Sequence, residues 1–125
     1  MALDDVLAGQ PVDFVKMDVQ GWEWEVFSGM QNTLAANPSL RIYFEFWPYG
    51  LVGAGCEPLR PLIYLDELGF ALFECSGTRM RAIEDAERFV KGFTGRRYGN
   101  VFAERRLCQA AECVPCGGMR PSSRV

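Results

Sequence analysis

The segment Lys16-Met17-Asp18-Val19-Gln20-Gly21-Trp22-Glu23 gathers more groups able to do chemistry than any other stretch of the chain. Asp18 stands at the carboxyl end of an apolar run, Gly21 permits a sharp turn, and a helical pattern begins directly after it. A carboxylate in that position can accept a hydrogen bond from a hydroxyl or amine, and so orient or deprotonate it. The same spacing also fits an aspartate that only caps the helix behind it. Gln20 can donate and accept hydrogen bonds but cannot act as a base. The chain has no histidine, so any acid–base work falls to Asp, Glu, Lys, Tyr or Cys. Two other stretches carry groups of chemical interest. Gly50-Leu51-Val52-Gly53-Ala54-Gly55 lies between a strand and a helix, but its G-x-x-G-x-G spacing is not that of a dinucleotide loop. It reads as a flexible loop or substrate lid. Cys113-Val114-Pro115-Cys116, with Cys108 upstream, offers three thiols and no fourth ligand for a structural zinc site. No metal site is expected.

The elements that must position these groups alternate. A short helical turn is expected at residues 4–8, closed by Gly9 and Pro11. Residues 12–19 are nearly continuously apolar and predict a strand buried on both faces. Trp22, Val26, Phe27, Met30 and Leu34 form one apolar stripe, predicting a single helix over residues 22–36 with Trp22 in the core and Trp24 facing away from it. Glu23 and Glu25 fall in its first turn, where the macrodipole favours carboxylates, and Asn37-Pro38 stops it. Further strands are expected at residues 40–47, 70–75 and 98–105, with a second helix opening at Glu57-Pro58 and ending before Gly69. Residues 77–95 read as irregular, with a helix near 83–90. The order β-α-β-α-β-β implies an α/β sheet covered by helices on both faces, with strands 12–19 and 40–47 parallel. Ligands of such sheets bind at the carboxyl edge of the strands, which carries Asp18 to Gly21, Trp47 and residues 48–56, with Glu45 just inside it.

Composition sets the outer limits. A chain of 125 residues is one domain, and a net charge of −3 argues against a general nucleic-acid binder. No stretch approaches the run of about 20 apolar residues needed to span a membrane. An odd cysteine count of five and a start, MALDDVLAGQ, without the features of a secretory signal lead to a cytoplasmic expectation. Charge is uneven: residues 1–95 balance at −7 and residues 96–125 at +4. Arg96, Arg97, Arg105 and Arg106 read as solvated charges at strand ends. Residues 108–125 are small, polar and turn-rich, a tail without a core of its own beside a domain at residues 1–107.

Leu3-Asp4-Asp5-Val6-Leu7, the strand end Lys16-Met17-Asp18-Val19-Gln20-Gly21, Glu23, the helix glycine Gly29, Glu45, Leu68-Gly69-Phe70 and Tyr98-Gly99-Asn100-Val101-Phe102-Ala103 occur in an order that resembles the FkbM family of S-adenosylmethionine-dependent methyltransferases. The resemblance covers about residues 3–105. It implies a class I, Rossmann-like methyltransferase sheet, of which this chain would be the C-terminal half, with the first strands and their glycine-rich cofactor loop missing. It implies S-adenosyl-L-methionine as cofactor, with Asp18, Gln20, Gly21 and Glu23 on the cofactor or substrate side. Asp18 and Glu45 are left as candidate bases toward a small-molecule, sugar or lipid hydroxyl, because Gln20 stands where many members have Glu. It also implies that strand 12–19 has a bare edge, open to a second copy or a partner chain. A non-catalytic fragment or split subunit is the competing expectation.

Overall fold

A computed structural model describes residues 2–106. The Cys108, Cys113 and Cys116 tail lies outside the described residues. The element order is α1 (Leu3–Leu7), β1 (Phe14–Met17), α2 (Glu23–Ser28), α3 (Gln31–Ala36), β2 (Arg41–Phe46), α4 (Pro48–Gly53), α5 (Leu59–Glu67), β3 (Phe70–Ser76), β4 (Arg79–Ala82), α6 (Ala86–Lys91) and β5 (Gly99–Arg105). The strands form one sheet in the order β1-β2-β5-β3-β4. As expected, β1 runs parallel to β2, with Val15 opposite Ile42 and Met17 opposite Phe44. β5 is antiparallel to both β2 and β3, so β3 runs in the same direction as β1 and β2. The carboxyl ends of these three strands therefore share one edge, together with the start of β5.

The pairing register sorts side chains by face, because residues directly opposite each other point the same way. Met17, Ile42, Phe44, Phe46, Val101, Ala103, Phe70 and Leu72 fall on one face and all are buried. They pack against Phe27, Met30 and Leu34 from the first helical pair and Leu62 and Leu65 from α5. Phe27 meets Phe44 edge to face at 5.5 Å, and Phe46 meets Phe93 in the same manner at 5.4 Å. The opposite face carries Phe14, Lys16, Tyr43, Glu45, Asn100, Phe102, Phe73 and Met80, none of them buried. Two expectations are corrected here. Helices cover one face of the described sheet and not both. The strand at 12–19 is not buried on both faces either: Phe14 is 52% exposed, Lys16 is exposed, and of β1 only Met17 is buried.

The single helix expected over residues 22–36 is two, α2 and α3, broken at Gly29-Met30. The break is held from a distance. Asp4 of α1 accepts hydrogen bonds from the Asn32 and Thr33 N–H groups, both at 2.9 Å, and from the Thr33 hydroxyl at 2.7 Å. These satisfy donors in the first turn of α3 that have no intrahelical partner. Asp4 N–H donates to Gly29 O at 2.9 Å, and a Cβ at Gly29 would stand 3.1 Å from that of Ala2. Splitting the helix also reverses the tryptophans. Trp22 is 54% exposed rather than in the core, and Trp24 is part-buried, edge to face with Tyr64 at 5.2 Å.

Three further differences follow from pairing and packing that no single segment displays. Residues 48–53, expected as loop, form α4, which anchors Leu51 in the core. Residues 79–82, expected as irregular, form β4 by pairing with β3, although all four are exposed. The helix expected at 83–90 is α6, capped by the Asp85 carboxylate on Arg88 N–H. Arg105 is no free strand-end charge: it is part-buried, donates to Leu34 O and to Leu68 O, and lies 4.3 Å over the Phe70 ring. Arg106 forms the one ion pair among the described residues, with Asp66.

Candidate functional site

The chain leaves β1 through a tight elbow. Val19-Gln20-Gly21-Trp22 is a turn closed by Trp22 N–H on Val19 O at 3.3 Å. Both central residues have positive φ, +49° at Gln20 and +103° at Gly21. Gly21 accepts that conformation at no steric cost, whereas Gln20 is strained in it. Strain of this kind persists where the surroundings enforce it, and it concentrates at functional sites. The enforcing surroundings are α4: a Cβ added at Gly21 would lie 2.6 Å from both the carbonyl carbon and the oxygen of Gly50. A Cβ at Gly50 would in turn strike the Trp47 ring at 2.3 Å. Trp47 is fixed by its indole N–H, which donates to Arg96 O at 3.1 Å. Two glycines and a tryptophan thus lock the elbow against α4 and against the segment leading into β5.

Each residue singled out in the sequence lies at this edge, in a different environment. Asp18 and Gln20 are exposed. Glu45 is part-buried on the uncovered face of β2, and burial together with the negative charge of Asp18 raises its carboxyl above the ordinary range. Glu23 is fully buried, at 0% exposure. It lies beneath the elbow rather than lining an open surface. Its Oε2 accepts from Gly21 N–H at a long 3.4 Å, and its Oε1 has no partner. Burial pushes the Glu23 carboxyl up, its own amide and that of Gly21 pull it back, and the charges of Glu45 and Asp18 add to the rise. A buried carboxylate under these influences is held toward its protonated form, able to donate a hydrogen bond as well as accept one.

Sequence reasoning placed Trp47 and residues 48–56 at this edge but missed that Gly50 and Trp47 shape the elbow. The signal was available as a glycine two residues after a Trp-Pro pair, but a glycine-rich run after a strand reads as loop. Cys56, buried beside this region, donates to Glu57 O at 3.4 Å, and burial raises its thiol, which argues against a nucleophilic role. Among the described residues no group of acids and thiols is arranged to hold a metal ion, and no helix is long and apolar enough to cross a membrane.

A family model described as the methyltransferase FkbM domain matches residues 1–72, from α1 into β3. No curated protein and no solved structure matches the chain.

Proposed function

The chain belongs to the FkbM methyltransferase family, and on that premise we propose that it serves S-adenosylmethionine-dependent O-methylation of a hydroxyl on a small molecule, sugar or lipid. One observation carries the reading: a strained elbow at the carboxyl edge of parallel strands, where sheets of this kind bind ligands, has Asp18 on it, Glu23 beneath it and Glu45 near enough for their charges to act on one another. The residues suit the cofactor. A sulfonium and an ammonium are cations, and the elbow presents acids, with the unpartnered Glu23 Oε1 beside the Gly21 amide. That Oε1 is sealed beneath the turn, so it meets a bound hydroxyl or amine only when the turn opens. Asp18, Gln20 and Gly21 would hold the cofactor at the elbow, with Glu23 fixing the turn from below.

Bound there, the cofactor would supply a methyl group on a good leaving group, which leaves alignment and proton removal to the protein. Asp18, exposed at the end of β1, orients the acceptor hydroxyl. Glu45, its carboxyl raised by burial and by the charge of Asp18, takes the role of base, because a base nearer neutrality binds the departing proton more firmly. Gln20 contributes hydrogen bonds only.

Calorimetric titration of the full chain with S-adenosylhomocysteine tests this. Micromolar binding that weakens in Asp18→Asn would support the reading and would mean that these residues make a cofactor site without the first strands and glycine-rich loop of the family's sheet. A folded chain that binds none overturns the reading that these residues make a cofactor site.

A second reading is favoured, among the described residues, by the uncovered sheet face and by β1, which has a neighbour on one side only. In that reading the chain is a non-catalytic or split subunit, and a second copy or partner chain adds to strand 12–19. Its mass in solution decides: a monodisperse monomer contradicts pairing between copies.

A further inference from the structure

A second charged feature occupies the same sheet edge, at the carboxyl end of β3. Ser76 lies opposite Arg79 and Glu74 opposite Arg81 across the β3–β4 ribbon, so the four side chains share a face. Arg97 joins them from the segment before β5, and together they line a groove of about 560 Å³. Arg97 is held in place, since its Nη1 donates to Gly92 O at 2.9 Å and its guanidinium lies 5.2 Å from the Phe93 ring centre. Glu74 shares the groove, yet none of the three arginines forms an ion pair among the described residues. Three guanidiniums against one carboxylate give this lining a formal excess of +2, which Glu84 and Asp85 of the adjoining cleft, set against Arg88, reduce without reversing, and a net positive lining favours an anion.

We propose that this groove binds a phosphate group carried by the methyl acceptor; its use in substrate recognition rests on the methyltransferase reading above. A phosphate monoester brings a charge of about −1.5 to −2 at neutral pH, close to what the groove lacks, and three terminal oxygens. Three guanidinium forks and the Ser76 hydroxyl offer more donors than a carboxylate can use. The shared edge permits that use. Only β5 separates β2 from β3, so the two strands lie roughly 10 Å apart, with the groove residues on the Val101 face and Glu45 on the opposite, Asn100 face. A phosphorylated molecule anchored at the arginines must pass over the strand ends to bring a hydroxyl toward the acids. The sheet edge is thereby divided into an acidic end that handles a hydroxyl proton and a basic end that selects the substrate by charge.

The test is a titration of the isotope-labelled full chain with inorganic phosphate at neutral pH and constant ionic strength, followed by amide chemical shifts, with chloride and acetate in parallel. The expected result is saturating shifts at residues 76–81 and Arg97, induced by phosphate and not by the other anions. Affinity should fall about tenfold or more in Arg79→Gln/Arg81→Gln, with the rest of the spectrum unchanged. Arg97→Gln, which leaves the β3–β4 ribbon intact, should weaken binding on its own. Shifts that do not saturate, equal binding of acetate, shifts centred elsewhere, or undiminished affinity in the variants would each overturn the proposal. The titration contains no methyl donor. Failure of S-adenosylhomocysteine to bind therefore leaves a positive phosphate result standing, and absence of phosphate binding leaves the methyltransferase reading standing.

Discussion

Asp4 and Glu23 are both acids that accept hydrogen bonds from backbone N–H groups near the start of a short helix, yet the fold uses them in opposite ways. Asp4, part-exposed, takes three good donors, and these bonds, the Thr33 hydroxyl foremost, hold its carboxyl below the ordinary range. Glu23, fully buried, takes one long bond and keeps an oxygen with no partner, and burial lifts its carboxyl above that range. The corner at α1 and α3 spends its acid on structure. The elbow after β1 leaves its buried acid short of partners, the condition under which a carboxyl holds its proton to higher pH.

The largest way to break this contrast is Gly21→Ala. It forces a side chain into a positive-φ position and into the Gly50 backbone, so a loss of roughly 3 kcal/mol or more is expected in chemical denaturation. A loss below 1 kcal/mol would show that the elbow yields easily. Next is Asp4→Ala, which strips α3 of its distant cap and should lower the melting temperature by several degrees at neutral pH. The depressed carboxyl gives stability that is present above its unfolded pKa and disappears as pH falls through the folded one. Wild type and variant should therefore converge in acid, and a constant gap would refute the cap.

Glu23→Gln sharpens the comparison because the sign reverses. A raised carboxyl contributes stability that is full below its unfolded pKa and lost as pH rises through the folded one. The variant should thus be more stable than wild type at neutral pH, by about 1 kcal/mol, with the advantage fading on acidification. Lower stability at neutral pH would mean that the charge is compensated. The smallest effect is expected for Gln20→Gly, which relieves left-handed strain and should stabilise by about 0.5–1 kcal/mol. If Gln20 holds the cofactor, the same change weakens S-adenosylhomocysteine binding while the fold gains.

The contrast also marks what the sequence could disclose. β2, β3 and β5 lie within a residue or so of their expected places, because β-branched and aromatic runs bounded by Gly and Pro are local signals. Gly21 was legible as a turn, and Asn37 as a stop, which the structure seals with Asn37 Nδ2 on Thr33 O at 2.8 Å. The break between α2 and α3 was not legible, since the apolar stripe runs through it and its cause, Asp4, lies 28 residues upstream of Asn32. β4 pairs with β3 alone, and the alternation of Arg-Met-Arg-Ala is too short, and all four residues too exposed, to announce it. The burial of Glu23 was hidden for another reason. A glutamate in a first turn has an adequate explanation in the helix dipole, and nothing in the sequence tells that α4 folds against the elbow.

That last contact has a consequence for how the molecule breathes. Gly21 and Gly50 meet backbone to backbone across 29 positions of chain, and α4 is a helix of six residues with Tyr49 and Val52 turned outward. So short a helix opens readily, and when it lifts, the strained turn loses the wall that enforces it. The two should open as one cooperative unit, the amides of Trp22 and Cys56 exchanging with solvent at a shared opening free energy well below that of the β2–β5 ladder. The geometry of the acidic edge is then set by an event some thirty residues away, and anything that presses on α4 from outside will tighten it.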